Sequence, residues 1–571
     1  MNILGINGWP GASHDAAACL LIDGTIIACT EEERFIRRKH AYGAAPHNAV
    51  ASCLHQAGLR FEDIDVIAHG WDMPELLARR NVAWPGTDAE VMELLFPSKL
   101  FPRTRDPQLI FVNHHLAHAA SAYYLSGLGR ASIMVLDGQG ENESTTLATG
   151  IDGKITPVRS VCPSWSLGYF YDAVCQYSGL GAATAGKLMG LAPHGRVREE
   201  GIAGFRHTDN GYELDIIPEE LISVGRTDEE QDTVTRWLEH LAQVLPDPPN
   251  TGATPHYDPL RSRLCTRPQR DPFEYRDLAA TAQDVLERCV IAMAKDLLSS
   301  TGERFLTVAG GVGFNATLNG KLARLPEVGG LFVQPLAGDQ GVALGAAVNV
   351  AIEAGETVAP MTGTIAWGPS YSSDDIRTVL DRSGVAYTQS DDIATDTAQL
   401  LERGAVVGWH QGRSEVGPRA LGQRSMLVLP QPEFNRDRIN VTIKDREPWR
   451  PFAPSLHEEA AKELLGLTEP LPYMIVTTPM PEEHVASLAA VVHVDGTTRP
   501  QTVSRQTNPL YHDLLTEVQR RTGVPVVLNT SFNGRDEPIV GSPSDALATF
   551  YGCPMDALAI GPFLIRKGMV S

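Results

Sequence analysis

The sequence predicts an α/β protein with at least two domains, the first of which contains a duplicated unit. Three observations support this: the length of 571 residues, a hairpin pattern that occurs twice, and the alternation of apolar strands with amphipathic helical segments. A chain of this length exceeds what one domain ordinarily holds. A hydrophobic fraction of 43% and a charged fraction of 20% are typical of a globular protein that buries its own core.

Two similar hairpins indicate the duplication. The dipeptide Asp23-Gly24 lies between the apolar runs "DAAACLLI" and "TIIACTEEE", and Asp152-Gly153 lies between "ESTTLATGI" and "KITPVRS". Asp-Gly between two strand-like runs is a strong signal for a two-residue hairpin turn. Each hairpin also follows an apolar strand and a polar turn, so we expect two related α/β units whose turns face a shared cleft. A chance similarity of two hairpins is the alternative.

Helical segments separate and follow these strands. Residues 46–59 and 277–302 have the apolar period of a helix, and each has a glycine at or near its end. Residues 353–370 are rich in Gly, Pro, Ser and Thr and separate two periodic regions. We therefore expect one domain over residues 1–355, a linker over 356–370 and a second α/β domain over 371–571.

The stretch between about residues 205 and 270 differs from its surroundings, because it is first acidic and then rich in proline. It is interpreted either as an insertion or lid over the cleft or as a solvated surface loop.

Composition excludes several classes of protein. The formal net charge of -21 argues against a nucleic acid as partner, since proteins that neutralise many phosphates usually carry a basic surface. No run of 18 apolar residues suggests a membrane span, and the N-terminus lacks the pattern of a signal peptide. The eight cysteines are scattered and form no CxxC pair, so a cytoplasmic protein with reduced cysteines is expected.

A candidate metal site begins with the stretch "VNHHLAHAASAYY", which places His114 and His118 four residues apart on a predicted helix. Such a pair can share a metal ion or can simply pack on an apolar helix face. Without the glutamate of HExxH, a zinc protease is excluded. Asp137 and Asp339 each follow an apolar strand, and two histidines with two carboxylates suit Fe(II), Zn or a similar divalent ion. His115 is interpreted either as a packing residue or as a residue that supports a metal ligand.

Two glycine-rich segments are candidates for contacts to a nucleotide. "TVAGGVGFNATLNGKL" contains Gly310, Gly311 and Asn315 between a strand and a helix, where backbone amides favour phosphate; a simple tight turn is the alternative. It lacks the Walker pattern. "TAGKLMGLAPHG" is interpreted as a second glycine-rich loop, with Lys187 as a candidate anion contact.

Basic residues cluster in the C-terminal region beside Gly, Pro and Trp. Any one of them is equally well explained as a solvated ion pair, but the set favours an anion pocket, because guanidinium and ammonium groups suit phosphate oxygens. The set comprises Arg413, Arg419, Arg424, Lys444, Arg446, Arg450 and Arg499, with Asn529 and Ser531 after a buried strand.

These motifs together resemble those of the NodU/CmcH-type O-carbamoyltransferases, and the pattern is most similar to the tobramycin-type (aminoglycoside) members. The resemblance covers nearly the whole chain and includes "EEERF", "NHHLAHAASAYY", "GKLMGLAPHG", "EVGPRALGQRS" and "KDREPWRPFAPS". It implies an actin-like (ASKHA, TsaD-like) N-terminal domain and a YrdC-like C-terminal domain. ATP and carbamoyl phosphate would give carbamoyl-adenylate in the C-terminal domain, and the carbamoyl group would then move to a hydroxyl of a small-molecule acceptor.

The resemblance also implies roles for individual residues. Four positions correspond to metal ligands, and Fe(II) is the metal that the family implies; these are His114, His118, Asp137 and Asp339. Asp137 would also act in catalysis, and His14 would lie near the acceptor hydroxyl as a general base. Positions that handle ATP or carbamoyl phosphate are Lys39, Arg419, Lys444, Arg450, Arg499, Asn529 and Ser531. A homodimer is compatible with this assignment.

The turn "WPGASHD" departs from the aminoglycoside-type pattern, because it has no carboxylate before His14. A polycationic acceptor favours nearby acids, so a less basic acceptor such as a glycosylated polyketide is expected. Two other functions fit parts of the pattern: a tRNA threonylcarbamoyl transferase and a non-catalytic, nucleotide-binding protein of the actin-like group. The acidic charge and the additional C-terminal region count against the first.

Overall fold

The structure is a computed structural model that describes residues 1–216, 229–245 and 271–567, and these residues form an α/β fold, as predicted. Among the described residues there are three large sheets and two small two-stranded sheets.

The first sheet has five strands in the order β3-β2-β1-β4-β5. Its strands β1 to β5 are Asn2–Asn7, Ala17–Ile22, Thr25–Glu31, Val66–His69 and Gln108–Phe111. Strands β1, β4 and β5 are parallel neighbours, with Ile3 beside Val66 and Val66 beside Gln108.

The second sheet has the order β8-β7-β6-β11-β12. Its strands are β6 Arg130–Leu136, β7 Thr145–Ile151, β8 Lys154–Val161, β11 Phe305–Ala309 and β12 Gly330–Val333, and the small sheet formed by β9 Phe205–Thr208 and β10 Gly211–Leu214 lies between β8 and β11 in the chain. Strands β6, β11 and β12 are parallel, whereas β6, β7 and β8 are antiparallel. The order corresponds strand for strand to that of the first sheet.

The third sheet has eight strands in the order β13-β22-β21-β14-β15-β20-β16-β19. Its strands are β13 Thr388–Gln389, β14 Val407–His410, β15 Arg424–Val428, β16 Ala453–His457, β19 Gln501–Val503, β20 Val526–Ser531, β21 Ala557–Ile560 and β22 Phe563–Arg566, while β17 Thr478–Pro479 and β18 Thr497–Thr498 pair with each other.

Helices connect and cover the sheets. Those that precede residue 360 are α1 Glu33–Ile36, α2 His47–Ala57, α3 Met73–Arg79, α4 Asp88–Leu95, α5 His114–Tyr123, α6 Leu167–Tyr177, α7 Ala185–Leu191, α8 Glu229–Val244, α9 Arg276–Thr301, α10 Ala316–Ala323 and α11 Gln340–Glu353. The later helices are α12 Ser373–Arg382, α13 Ile393–Glu402, α14 Phe434–Asp437, α15 Glu458–Leu465, α16 Glu482–Val485, α17 Pro509–Thr522 and α18 Pro543–Gly552.

Both predicted hairpins are confirmed. Asp23 and Gly24 connect β2 to β3 with φ values of 48° and 73°, and Asp152 and Gly153 connect β7 to β8 with 49° and 78°. A turn with two consecutive positive φ values matches the twist of antiparallel strands, and Asp-Gly adopts it at low cost. The local sequence therefore determines these two turns.

The predicted helices around residues 46–59, 114–123 and 277–302 are also confirmed, as α2, α5 and α9. Gly58 and Gly302 end α2 and α9 in the left-handed conformation, with φ of 67° and 70°. This is the conformation that a helix C-terminus commonly requires after its last turn.

The interpretation of "TAGKLMGLAPHG" as a loop is wrong. Residues 185–191 form α7, and residues 192–194 form a turn of 3-10 helix. Leu188 and Leu191 are fully buried, and Lys187 is half-buried. Burial of this leucine face favours a helix despite two internal glycines, because tertiary packing outweighs a propensity difference of about 1 kcal/mol per glycine.

The described residues group into two contact-defined units. The first unit comprises residues 1–10, 20–25 and 61–360, and the second comprises 11–19, 26–60 and 361–571. This division differs from the predicted domains, because residues 11–19 and 26–60 group with the C-terminal part of the chain. The boundaries at 355 and 371 remain a prediction; residues 354–372 contain no helix or strand.

Each unit has its own apolar core. In the first unit, α5 packs on β6 and β7 through Ala119, Tyr123, Ile133 and Val135. In the second unit, two clusters cover the eight-stranded sheet and include the buried Trp409 and Phe532.

Three further predictions concern the chain as a whole. In the described part of the chain, no helix is long and apolar enough to cross a membrane. The seven cysteines in that part are free thiols. Most of the acidic and proline-rich stretch between about residues 205 and 270, including residues 217–228 and 246–270, lies outside the described residues, so the insertion remains a prediction.

Candidate functional site

Four side chains of the first unit converge at the place where the sequence predicts a metal. His114 and His118 lie one turn apart on α5, Asp137 follows β6, and Asp339 directly precedes α11. One ligand atom from each of the four lies within 4.8 Å of all the others, and all four side chains are buried. Strand ends and helix starts bring these residues together across more than two hundred positions of sequence.

The distances center on Asp137. Its Oδ2 atom lies 3.1 Å from His114 Nε2 and 3.3 Å from His118 Nε2. Asp339 Oδ1 lies 3.7 Å from His114 Nε2 and 4.0 Å from His118 Nε2. Each carboxylate therefore faces both imidazole rings.

Neighbouring groups fix the orientation of two of these ligands. His114 Nδ1 donates a hydrogen bond to the Gly70 carbonyl at 3.1 Å, which leaves Nε2 to face the carboxylates. The Trp71 ring stacks on the His114 ring with centroids 3.7 Å apart. Asp137 Oδ1 accepts the Gly311 N–H at 2.9 Å, so its other oxygen is the one directed at the histidines. Such outer contacts set the tautomer and the angle of a metal ligand.

The cluster is strongly coupled electrostatically. Burial alone lowers the pKa of His114, but Asp339 and Asp137 outweigh it and raise the pKa to about 9. Burial likewise raises the pKa of Asp137, yet the bonds to His114 and His118 hold it well below its usual range. A proton and a metal ion compete for the same imidazole nitrogen, because a ligating histidine must be neutral.

The donor set fits a first-row divalent metal. Zinc and similar ions bind imidazole nitrogen and carboxylate oxygen at about 2.0–2.2 Å, so the nitrogen–oxygen distances of 3.1, 3.3, 3.7 and 4.0 Å allow the four side chains to share one ion. The buried Nε2 of His118 lies 3.3 Å from Asp137 Oδ2 but makes no hydrogen bond among the described residues, and a metal ion would give this atom a partner. Two imidazoles and two carboxylates suit iron or zinc better than magnesium or calcium, which prefer oxygen ligands.

His115 follows His114 on α5 but does not belong to this four-residue cluster of the described chain. Its Nδ1 lies 2.8 Å from Thr146 Oγ1. Burial, together with the charge of His114, lowers the pKa of His115 well below its usual value, so this ring is neutral.

The close approach of α5 and α11 determines the spacing of the ligands. A Cβ atom at Gly345 of α11 would lie 1.8 Å from the Ala117 carbonyl oxygen of α5. Gly345→Ala must therefore push apart α5, which carries His118, and α11, which follows Asp339. We expect the free energy of unfolding to fall by about 1–3 kcal/mol. Metal affinity should fall with it; chemical denaturation and metal titration measure the two effects.

Gly186 provides the matched control for this prediction. It lies in α7 of the same unit, and a Cβ there would meet nothing within 4 Å. Gly186→Ala should leave metal affinity unchanged and stability equal or higher by about 0.4–1 kcal/mol. Equal effects of the two substitutions would contradict the steric explanation.

The predicted glycine-rich segment supports the metal cluster directly. Gly310 has φ of 87°, and a Cβ there would lie 2.3 Å from the Leu136 carbonyl oxygen, so this position requires glycine. The Gly311 N–H is donated to Asp137. Asn315 caps α10 through the Leu318 N–H and exchanges hydrogen bonds with Gln283. A 3-10 turn at residues 311–314 separates the glycines from the helix.

A second cluster lies in the C-terminal part of the second unit and centers on Lys444. This side chain is buried, and its Nζ donates to the Ser531 carbonyl at 2.7 Å, to Ser531 Oγ at 3.1 Å and to Asn533 Oδ1 at 2.9 Å. Burial, followed by the charges of Arg446, Arg450 and Lys39, lowers the pKa of Lys444 well below its usual value.

Four arginines carry the rest of this cationic cluster. Burial and then Arg450 lower the pKa of Arg419 to about 10, while burial and the neighbouring arginines lower the pKa of Arg499 well below its usual range. Arg446 is affected in the same way by Arg450. Among the described residues, the carboxylate ion pair of this cluster is Arg450 with Glu447, at 3.9 Å. Because carboxylates compensate so little of this positive charge, the cluster fits a polyanionic ligand.

One atom of this cluster points more specifically to a missing partner. The Nε of Arg419 is buried and has no hydrogen-bond partner among the described residues. A buried donor in that condition is costly unless a ligand or water completes it.

Two predicted members of the cationic set have structural roles instead. Arg424 is fully buried and donates to backbone carbonyls that include those of Gln411 and Gly541. Arg413 donates to the carbonyls of Gly368 and Ile27. Carbonyls that accept these guanidinium hydrogens leave them occupied, so neither arginine belongs with the cluster.

The remaining polar residues of this region are placed by β20. Ser531 ends the strand and contacts Lys444 directly. Asn529 is buried, and its Nδ2 donates to the Ala420 carbonyl, to Ser455 Oγ and to Gln501 Oε1, whereas its Oδ1 has no partner among the described residues.

His14 and Lys39 lie in the N-terminal segments of the second unit. His14 is about half exposed, and its Nδ1 lies 3.0 Å from Asp15 Oδ2. Lys39 is exposed and close enough to lower the pKa of Lys444. His40 Nδ1 lies 2.9 Å from Asp15 Oδ1.

Several of these contacts were not predicted from the sequence. Trp71, Gly70 and Asn533 touch predicted site residues, and Asp15 lies between two histidines. Asp15 directly follows His14 and could have been noticed. No local pattern distinguishes Trp71 or Gly70, because their role depends on the approach of α5 to β4.

Comparison with known proteins identifies the family. Residues 2–78 and 89–348 match the family described as "Carbamoyltransferase N-terminus", and residues 398–567 match "Carbamoyltransferase C-terminus". Nodulation protein NolNO of Sinorhizobium fredii is 38% identical over 578 residues, which cover 98% of this chain and 80% of that protein. 3'-hydroxymethylcephem-O-carbamoyltransferase of Amycolatopsis lactamdurans is 35% identical over 242 residues, 42% of this chain and 44% of that protein.

A solved structure, HypF of T. kodakarensis, covers 62% of this chain and 48% of its own, at 15% identity and a TM-score of 0.32. Because that score is low, the family of this chain follows from the family matches and from the relative that covers 98% of it. The resemblance inferred from the motifs is confirmed at the level of the family. With both family matches and a relative 38% identical over 98% of this chain, the chain belongs to the carbamoyltransferase family.

Proposed function

We propose that this chain is an ATP-dependent O-carbamoyltransferase that forms carbamoyl-adenylate and transfers its carbamoyl group to a hydroxyl of a small-molecule acceptor. The observation that carries the proposal is the cationic cluster around Lys444 and Arg419. An enzyme that binds two substrates with phosphate groups needs such a site. In a carbamoyltransferase, ATP and carbamoyl phosphate are the anions of matching chemistry.

The first half-reaction belongs to the second unit. Water cleaves carbamoyl phosphate to carbamate and phosphate, and a carbamate oxygen then attacks the α-phosphorus of ATP while the bond to pyrophosphate breaks. Lys444, Arg419, Arg450 and Arg499 bind the phosphate oxygens and stabilise the negative charge on pyrophosphate as it leaves. Lys39, Asn529 and Ser531 position the nucleotide and the carbamoyl group.

The second half-reaction belongs to the metal cluster of the first unit. His114, His118, Asp137 and Asp339 would hold one divalent metal, Fe(II) by family resemblance or zinc by donor type. When bound, that metal supplies Lewis acidity toward the carbamoyl oxygen. Gly311 keeps Asp137 oriented through its N–H, and Gly70 keeps the Nε2 of His114 available.

Transfer requires that the acceptor hydroxyl lose its proton as it attacks. His14 is the general base: its imidazole takes that proton as the new O–C bond forms and the bond between the carbamoyl carbon and the AMP oxygen breaks. The products are the carbamate ester and AMP, and the proton passes from His14 to water.

The fold assignment supports the same division of labour. The matching strand orders of the first and second sheets support an actin-like, TsaD-like duplicated domain over residues 1–355. The eight-stranded mixed sheet is assigned to a YrdC-like domain over residues 371–571. A homodimer remains compatible with both assignments.

The acceptor is a hydroxyl-bearing natural product, such as an antibiotic or sugar derivative. One relative is named for a hydroxymethylcephem and another for nodulation. Because Pro10 to His14 contains no acid, a neutral acceptor is favoured over an aminoglycoside.

The decisive experiment incubates the purified chain, loaded with Fe(II) or zinc, with ATP and carbamoyl phosphate. We expect carbamoyl-adenylate with release of pyrophosphate, observable by mass spectrometry and a pyrophosphate assay, and AMP once a hydroxyl acceptor is added. ATP binding without pyrophosphate release would favour the nucleotide-binding alternative. Dependence on tRNA and threonine would favour the threonylcarbamoyl transferase.

A further inference from the structure

The segment that carries His14 is held by a neighbouring segment of the same unit. Three backbone hydrogen bonds connect them: Gly11 N–H to Gly43 O at 3.1 Å, Gly43 N–H to Ser13 O at 2.7 Å and Asp15 N–H to His40 O at 2.6 Å. His14 therefore lies in a turn that is fixed on both sides.

The backbone at this contact is unusual. Asp15 and His40 both have positive φ, at 53° and 61°, and Ala41 follows with 43°. Non-glycine residues in this region are strained, and such strain persists where the surrounding structure holds it and often where function uses it. Here it has one clear consequence, because it brings the carboxylate of Asp15 between two imidazole rings.

Each oxygen of Asp15 faces one of these rings. Oδ2 lies 3.0 Å from His14 Nδ1, and Oδ1 lies 2.9 Å from His40 Nδ1. The His40 segment is itself held, because its N–H donates to Glu33 Oε2 at 2.7 Å. Burial raises the pKa of Asp15, but His40 and His14 outweigh it and hold the pKa below its usual range. Asp15 is therefore an anion at neutral pH.

A carboxylate on Nδ1 has a definite effect on an imidazole. It keeps the proton of the neutral ring on Nδ1, so that Nε2 carries the lone pair, and it stabilises the imidazolium that forms when Nε2 takes a proton. His14 is about half exposed, so a substrate can reach its ring. His40, bound to the other oxygen, limits rotation of the carboxylate.

We propose that Asp15 is the positioning residue of His14, and that His40 anchors Asp15 for this role. The inference rests on the proposed function, in which His14 takes the proton of the acceptor hydroxyl. In the transfer step, Nε2 of His14 receives that proton while Asp15 accepts the hydrogen bond from Nδ1. Asp15 receives no proton and does not contact the carbamoyl group.

Asp15→Asn tests this role, because asparagine preserves the shape and removes the charge. With a saturating hydroxyl acceptor, kcat for carbamoyl transfer should fall by about 100-fold, the lower end of what a general base contributes. The KM for the acceptor should change little, and the acidic limb of the kcat profile should move to lower pH because the imidazolium loses its counter-ion. Formation of carbamoyl-adenylate from ATP and carbamoyl phosphate should stay at the wild-type rate.

A double-mutant cycle separates positioning from a structural effect. If Asp15 acts through His14, then adding Asp15→Asn to His14→Ala should lower kcat no further than His14→Ala alone. Asp374→Asn is the matched control, since it makes the same change at an exposed carboxylate of α12 in the same unit, which faces Arg377 rather than His14, and its kcat should stay near wild type. A further loss in the double variant, a wild-type kcat for Asp15→Asn, or an equal loss in Asp374→Asn would each overturn the proposal.

A measurement of carbamoyl-adenylate formation distinguishes failure of the positioning role from failure of the proposed function. Wild-type protein that makes no carbamoyl-adenylate would overturn the proposed function; normal adenylate formation with an unaffected transfer step in Asp15→Asn overturns the positioning role alone. If Asp15→Asn does not fold, His40→Gln is measured instead. It should lower kcat severalfold with adenylate formation unchanged, and an unchanged kcat would overturn the proposal.

Discussion

Lys444→Ala is expected to abolish the formation of carbamoyl-adenylate. The substitution removes a buried ammonium that is held by Ser531 and Asn533 and surrounded by arginines. Loss of one preorganised group that stabilises developing charge costs about 2.7–4 kcal/mol, or about 100-fold to 1,000-fold in rate. Pyrophosphate release from ATP and carbamoyl phosphate measures this loss directly.

The same variant should still perform the second half-reaction. When chemically prepared carbamoyl-adenylate is supplied with an acceptor, transfer should proceed at a rate close to that of the wild type, because transfer is assigned to the metal cluster and His14 rather than to the cationic cluster. Lys462→Ala, on the exposed face of α15, is the control for loss of one positive charge and should leave both rates unchanged. Normal pyrophosphate release by Lys444→Ala would refute the role assigned to the cationic cluster.

His114→Ala is expected to have the opposite phenotype. It removes one proposed metal ligand and leaves Asp137 with a single histidine neighbour from the cluster. Changes to groups that only support a ligand already reduce metal affinity by about 10–100-fold, so loss of the ligand itself should reduce it by at least about 100-fold. Carbamoyl transfer should be lost, whereas pyrophosphate release from ATP and carbamoyl phosphate should continue.

The controls for this variant address stability. Removing one partner of a buried charged pair can cost about 3–5 kcal/mol, so His114→Gln, which retains bulk and a polar group, is measured in parallel. His55→Ala, on the exposed face of α2, controls for loss of an imidazole. Metal content, unfolding midpoint and the two half-reactions are compared. If His114 and Lys444 variants lost the same half-reaction, the division of the two half-reactions between the metal cluster and the cationic cluster would be wrong.

The local parts of the fold were predictable because short-range physics determines them. Asp23-Gly24 and Asp152-Gly153 adopt positive φ wherever they connect two strands, and Gly58 and Gly302 end helices for a similar reason. The segment at residues 185–191 was mistaken for a loop because its glycines suggest one. These residues form a helix because their leucine face packs against α9, a tertiary contact that no local sequence pattern reveals.

The candidate sites divide in the same way. The sequence selects His114 and His118 by helical spacing, and Asp137 and Asp339 by their position after strands. It could not separate Arg424 and Arg413, which donate to backbone carbonyls, from Arg419, whose buried Nε has no hydrogen-bond partner among the described residues. The identity of an arginine in the sequence does not reveal its hydrogen-bond partners, because these depend on which loop packs against it in the folded protein.

By itself, the sequence determined the α/β class, the two hairpins, the main helices, the family and the residue types of a metal site and an anion site. These features follow from patterns within a few residues or from contiguous sequence motifs. The tertiary structure alone decided that four candidate ligands, spread over 225 positions of sequence, each place one atom within 4.8 Å of the others. It also decided that Asp15 lies between His14 and His40. Such distances depend on chain crossings and on strained backbone that only the packed core holds in place.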